Sequence, residues 1–261
     1  MHYVRAGSGK PPLVFVHGFA CSHEDWGLQF DFFKQSREVV ACDLRGHGQT
    51  PGRPQECTIE NFGGDVAALI AVLDLEKPVL IGHSMGCRVV LEAASLAPEL
   101  VGGLVLIDGS RTGSGDPGAA EAAAHAAVDK AGYPAFAESL FRQMFFAPSP
   151  LADAIVARAL KQSAGFGPLL WPAMARWDAA KMDAALAAVK VPLLAIQSTT
   201  RNAEMKRSML KAGESSPYLD LLRKGLKNAR IEVIPGVGHF TQLEAGERVN
   251  RLISDFAAGG R

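Results

Sequence analysis

An α/β fold is predicted, with a doubly wound, mostly parallel sheet and an inserted all-helical segment. Three observations predict it. Short apolar, β-branched runs recur at 13–16, 39–42, 79–81, 104–107, 193–196 and 231–234, each bounded by Gly, Pro or polar residues. They hardly alternate, which is how strands covered on both faces read. Helical patterns fall between them, at 25–36, 58–74, 85–97, 216–228 and 241–257. Strands alternating with helices close into a sheet through right-handed crossovers. The third observation is a break in the rhythm. Between Asp108 and Val191 no strand pattern appears, and alanine-rich helical segments occupy 117–131, 134–146, 150–163 and 168–189. The expected organisation is therefore a core of 1–110 and 191–261 carrying an inserted helical lid, 111–190.

The helical interval holds Tyr133, Phe136, Phe141, Phe145, Phe146, Phe166, Trp171 and Trp177. These aromatics either form that segment's own core or give a pocket an apolar wall. In a sheet of this kind ligands bind outside the carboxyl ends of the strands. Four informative places lie at such ends: His17-Gly18, Ser84, Asp108 and Gly238-His239.

The chain has 261 residues, enough for one large domain with an insertion, and 48% of them are hydrophobic. Lys plus Arg and Asp plus Glu balance at 27 each. No basic stripe suggests a nucleic-acid partner, and no run approaches the length of a membrane span. The N-terminus has no signal-peptide apolar region, so the expected location is cytoplasmic. Cys21, Cys42, Cys57 and Cys87 lack metal-ligand spacing, and reduced, packed thiols are expected. No histidine pair shows ligand spacing either. Neither a metal nor a cofactor is expected.

The most informative stretch is Pro78-Val79-Leu80-Ile81-Gly82-His83-Ser84-Met85-Gly86. An apolar strand runs into G-x-S-x-G, and an apolar helical pattern follows. That context marks a strained strand-to-helix turn presenting a nucleophilic serine, with glycines where a Cβ would clash. A serine hydroxyl needs a base. His239 follows a strand, lies in the Gly-rich turn Pro235-Gly236-Val237-Gly238-His239-Phe240, and is C-terminal to Ser84.

These motifs, with Val14-Phe15-Val16-His17-Gly18-Phe19 and Cys42-Asp43-Leu44-Arg45-Gly46-His47-Gly48-Gln49-Thr50, resemble the α/β-hydrolase fold superfamily in kind and in order over nearly the whole chain. The resemblance implies an oxyanion hole from the backbone N–H groups of Phe19 and Met85. It implies that His17 supports the oxyanion loop from behind, that His47 braces its own loop, and that His83 is structural. His23 lies close enough in sequence to the oxyanion loop to be a candidate substrate contact, and His125 has no assigned role.

The chain departs from the family pattern at the third catalytic position. Most relatives place an aspartate shortly after the strand that follows the lid. Here that loop reads Gln197-Ser198-Thr199-Thr200-Arg201-Asn202-Ala203-Glu204. The alternative family placement, directly after the preceding core strand, is filled by Asp108. Asp108 is the expected acid; Glu204, or a dyad without an acid, remains open. Arg201 is a candidate for holding a ligand anion, and Arg111, at the lid entrance, for a substrate carboxylate.

The expected activity is hydrolysis of a small, mostly apolar carboxylic ester or thioester through an acyl-enzyme. A small-molecule ester is thus the expected partner. A C–C bond hydrolase, a perhydrolase, an acyltransferase, or a weakly catalytic ligand-binding protein of the same fold are the alternatives. Epoxide hydrolases and haloalkane dehalogenases of this fold need an aspartate at the elbow, and Ser84 argues against both.

Overall fold

In the computed structural model, which describes residues 1–202, 204–226 and 229–259, a seven-stranded sheet forms the centre. Its strands are β1 (Tyr3–Ala6), β2 (Leu13–Val16), β3 (Val39–Cys42), β4 (Val79–His83), β5 (Gly103–Ile107), β6 (Leu193–Gln197) and, last in the chain, β9 (Ala229–Val233). The spatial order is β1-β3-β2-β4-β5-β6-β9. Only β1 runs antiparallel to its neighbour. Two further strands, β7 (Thr199–Arg201) and β8 (Arg207–Met209), make a separate hairpin.

Alternate residues of each strand feed two cores. Leu13, Phe15, Val39, Ala41, Val79, Ile81, Val105 and Ile107 face one side, with Trp26, Phe33 and helix α10 (Gly246–Ala257). Val14, Val16, Val40, Leu80, Leu104 and Leu106 face the other, with α2 (Ile59–Val72), α3 (Met85–Leu96) and the inserted helices. Burial on both faces explains why the strand sequences read as unbroken apolar runs. Helix α2 starts where Thr58 caps it, its side chain accepting from Asn61 N–H at 3.2 Å.

Four helices lie between β5 and β6: α4 (Pro117–Ala131), α5 (Tyr133–Arg142), α6 (Pro150–Ser163) and α7 (Gly167–Ala188). Helix α7 is tied to α3 by a buried ion pair. Arg88 Nε and Nη2 each donate to Asp178 at 2.7 Å, and the side chains are 2% and 0% exposed. Beside them Trp177 Nε1 and Lys181 Nζ both donate to Glu92 at 2.8 Å. Removing one partner of a buried pair leaves an uncompensated charge, a loss of about 3–5 kcal/mol. Asp178→Asn is expected to lower the unfolding free energy by that amount in urea titration. Adding Arg88→Met should recover part of it, since the orphaned cation is then gone.

Several elements differ from the sequence expectation. Strand β1 was not anticipated, because a half-exposed edge strand has no continuous apolar run. The three-residue strands β7 and β8 are too short to show a period. The helix expected at 25–36 divides into a 3-10 turn (His23–Trp26) and α1 (Gly27–Phe33). That expected at 241–257 breaks at Ala245 into α9 (Thr241–Glu244) and α10. The helix expected at 216–228 is α8 (Pro217–Gly225); its last expected residues, 227 and 228, lie outside the described set. The strand expected at 231–234 is β9, two residues earlier at its start. Among the described residues no helix is long and apolar enough to cross a membrane.

Candidate active site

Strand order and register put the candidate residues together. The sheet winds outward from β2 to β3 and from β4 to β5, so β2 and β4 flank the point where the order reverses, the place where such sheets open a crevice. His17-Gly18-Phe19 leaves β2 there and Ser84 leaves β4. In the β4–β5 pairing His83 lies opposite Ile107, so the next residues, Ser84 and Asp108, emerge side by side. Ser84 N–H donates to Ile107 O at 2.9 Å and Asp108 N–H to Ile196 O at 2.8 Å.

Ser84 has φ +54° and ψ −113°, a strained conformation that turns strand into helix within one residue. The turn needs glycine on both sides. A Cβ on Gly82 would lie 2.3 Å from Gly86 O, and one on Gly86 would lie 2.3 Å from Val16 O. Ser84 precedes α3, so Met85 N–H belongs to the first helical turn, where amides have no intrahelical acceptor. A Cβ on Gly18 would sit 3.2 Å from Ser84 Cβ, so the chain leading to Phe19 runs against the serine.

His239 is brought to Ser84 from the loop after β9. Its Nε2 accepts from Ser84 Oγ–H at 2.8 Å, and its Nδ1–H donates to Asp108 Oδ2 at 2.6 Å. The loop is fixed by three contacts. His239 N–H donates to Met144 O at 2.8 Å, Ser198 Oγ–H to Gly238 O at 2.7 Å, and His83 Nε2–H to His239 O at 2.8 Å. His17 donates from Nδ1 to Gly18 O at 2.8 Å and accepts at Nε2 from Leu44 N–H at 3.0 Å, joining the two loops. His47 donates to Arg45 O at 3.0 Å within its own loop.

Asp108 is fully buried and densely hydrogen-bonded. Its Oδ1 accepts from the N–H groups of Ser198 and Thr199, both at 2.8 Å. Its Oδ2 also accepts from Thr199 Oγ–H at 2.5 Å. Burial pushes the carboxyl up, but the His239 bond, the Arg207 charge and these donors outweigh it and hold Asp108 below the usual carboxylate range. Glu204 is exposed on the loop between β7 and β8.

Arg207, on β8, was not anticipated. Its side chain is 4% exposed, and Nη1 donates to Thr199 Oγ1 at 2.5 Å. Nη1 also lies 3.0 Å from His239 Nδ1 and 3.5 Å from Asp108 Oδ2. Nδ1 carries the proton bound to Asp108, so Arg207 acts on the imidazole through charge. Burial first, and Arg207 second, hold His239 well below its ordinary range despite Asp108. For His239 to serve as a base it must be unprotonated, so in that role the acid limb of kcat/KM is expected below pH ~6.5. Arg207→Met removes a cation that opposes the imidazolium, so that limb should move toward higher pH in the measured profile. A limb that stays in place would show that Arg207 does not tune His239.

Phe141, Phe166 and Trp171 converge on the Phe19 ring at 5.9 to 6.3 Å between centroids, packing the inserted helices on the loop after β2. Trp177 instead serves the α3–α7 contact. Arg111 is paired with Asp183 at 2.8 Å, and its Nε donates to Gly113 O at 3.0 Å. His23 bonds Asp43 through its N–H at 2.7 Å and Nδ1 at 2.9 Å. His2, His23 and Asp43 place ligand-type atoms within 4.8 Å of one another, a cluster that linear spacing hides; its Asp43 Oδ1 is already taken by His23. All four cysteines are unpaired and buried, and burial pushes the Cys42 and Cys87 thiols up to about 12.

Residues 13–252 match the alpha/beta hydrolase family. The chain belongs to that family. This alpha/beta hydrolase family member is 30% identical over 259 residues to the dihydrolipoyllysine-residue acetyltransferase component of the acetoin cleaving system of Pseudomonas putida, covering 96% of this chain and 64% of that protein. Over 108 residues, 41% of each chain, it is 31% identical to (E)-2-((N-methylformamido)methylene)succinate hydrolase of Acinetobacter baylyi. The chain thus spans less than two thirds of these curated relatives. A solved thermophilic esterase from Thermogutta terrifontis, with malate bound, superposes with TM-score 0.75 at 25% identity, covering 99% of this family member and 93% of that chain.

Proposed function

We propose that this chain is a serine hydrolase that cleaves small carboxylic esters or thioesters through an acyl-enzyme. The observation that carries the reading is the continuous hydrogen-bonded chain from Ser84 Oγ through His239 to Asp108, at 2.8 and 2.6 Å. In the proposed reaction His239 Nε2 takes the Ser84 proton as Oγ attacks the acyl carbon. The developing oxyanion is held by the Phe19 and Met85 amides. The imidazolium returns the proton to the leaving alcohol or thiol. Water, deprotonated by His239, then attacks the acyl-Ser84 ester, and Ser84 leaves as the acid is released. Asp108 holds the reactive tautomer and stabilises the imidazolium. The four inserted helices, in this reading, form a lid whose Phe141, Phe166 and Trp171 contact the apolar part of the substrate.

The names of relatives support hydrolysis of a carboxylic derivative: one is an esterase, another a hydrolase acting on a substituted succinate. The Pseudomonas putida relative is named as an acetyltransferase component. Acyl transfer to an acceptor other than water would use the same acyl-Ser84 step, so acceptor alcohols belong in the assay.

The test is labelling with a fluorophosphonate, followed by p-nitrophenyl esters of increasing acyl length. One label per chain on the Ser84 peptide, with a burst of one p-nitrophenol per chain where deacylation limits turnover, is expected. No label and no turnover on any ester would overturn the reading and leave a ligand-binding protein of this fold.

A further inference from the structure

We propose that Arg201 anchors a carboxylate-binding subsite in the cavity beside Asp108. The cavity holds about 360 Å³, and Ser110, Thr200, Arg201, Arg207, Tyr218 and Lys224 are among its lining residues. Its lining runs from Gly109 and Ser110, after β5, to Thr199, Thr200, Arg201 and Arg207 of the β7–β8 hairpin.

Charge balance is the central observation. Among the described residues, this region gathers the guanidiniums of Arg88, Arg201 and Arg207 around the carboxylates of Asp178 and Asp108. Asp178 is committed to Arg88, and Asp108 to His239 with Arg207 alongside. Arg201 has no carboxylate. Its Nη2 contacts are Thr112 Oγ1 at 3.2 Å and Met205 Sδ at 3.4 Å, and its buried Nε has no partner among the described residues. Tyr218 OH, also on the lining, is buried without a partner. Asp220, the acidic residue of the lining, is exposed and paired with Arg223 at 3.0 Å.

A partly buried guanidinium without an anion is costly, and burial with the Arg207 and Arg88 charges pushes Arg201 down to about 9. It is still cationic at neutral pH. Among the described residues Arg201 is the partly buried cation without a carboxylate here, and Lys224, exposed on the lining, adds a second positive charge. A planar fork with free donors suits a carboxylate. The Arg201 guanidinium lies 5.7 Å from the Trp171 ring centre, and Trp171 packs edge-on against Phe19. The Arg201 guanidinium thus links the cavity to the aromatic cluster on Phe19. The carboxylate belongs either to the substrate itself or to a separate small acid; the first case rests on the serine-hydrolase reading, and the subsite does not.

The test measures binding of acetate, propionate, succinate and glutarate, at constant ionic strength, by thermal shift and calorimetry. Wild type and Ser84→Ala are compared with Arg201→Met and Arg201→Lys. Saturable binding to wild type and Ser84→Ala is expected. It should weaken by about tenfold or more in Arg201→Met and less in Arg201→Lys, whose charge survives. Competition by these acids against p-nitrophenyl butyrate, with mono-p-nitrophenyl glutarate preferred over the butyrate and that preference lost in Arg201→Met, would assign the carboxylate to the substrate. Binding without competition would assign it to a separate ligand. No saturable binding to wild type, or binding undiminished in a folded Arg201→Met, overturns the subsite. Binding to Ser84→Ala requires no chemistry, so this result is independent of whether Ser84 is acylated.

Discussion

Ser84→Ala is expected to lower kcat on p-nitrophenyl esters by a factor on the order of 10⁵–10⁶ and to abolish both the burst and the fluorophosphonate label. The loss should be this large because the hydroxyl is the one group whose removal stops acylation at its first bond. The rest of the proposed site stays in place. Ser84 N–H still donates to Ile107 O, and the left-handed φ of +54° is no worse for alanine than for serine. Far-UV dichroism and the thermal midpoint should therefore match wild type, and residual turnover should come from binding and the backbone amides alone. Equal rates in the two proteins would mean that Ser84 does no chemistry on esters.

Asp108→Asn is expected to lower kcat by about 10⁴. Ser198 N–H and Thr199 N–H both point at Asp108 Oδ1. An asparagine there must turn its carbonyl oxygen to those donors, which leaves its NH₂ facing His239 Nδ1. The imidazole then accepts at Nδ1 and carries its proton on Nε2, facing Ser84, where it cannot act as base. Glu204→Gln is expected to leave kcat within about twofold, because Glu204 is exposed and outside this network. A small, equal loss in the two variants would remove Asp108 from the mechanism.

The fold was legible because its signals are local. Five of the seven sheet strands, β2 to β6, are buried at every position, and that burial writes itself into the chain as short apolar runs. The elbow was legible for the same reason: Gly82 and Gly86 are demanded by contacts within their own turn and its neighbouring strand, whatever the substrate. The edge strand β1 and the hairpin β7–β8 were not, since half-exposed or three-residue strands leave no period to read.

The environment of His239 shows the opposite case. Arg207 stands next to Lys206 in a polar stretch that reads as solvated surface, yet it is buried against Thr199 and His239. The partnership of Arg88 with Asp178 joins residues ninety positions apart. Both depend on which charges the folded chain encloses together, and no spacing rule carries that information.

Chain order and motif chemistry thus supplied the α/β alternation, the serine turn and the histidine after the last strand, and the family resemblance they carry supplied Asp108 as the expected acid. Their determinants are backbone geometry and burial pattern, which act over a few residues. Tertiary structure decided that Ser84, His239 and Asp108 meet within hydrogen-bonding distance, that Arg207 sits against the imidazole, and that Arg201 has no carboxylate partner among the described residues. Those are properties of distances between remote segments, and electrostatics in a buried space is set by such distances rather than by sequence neighbours.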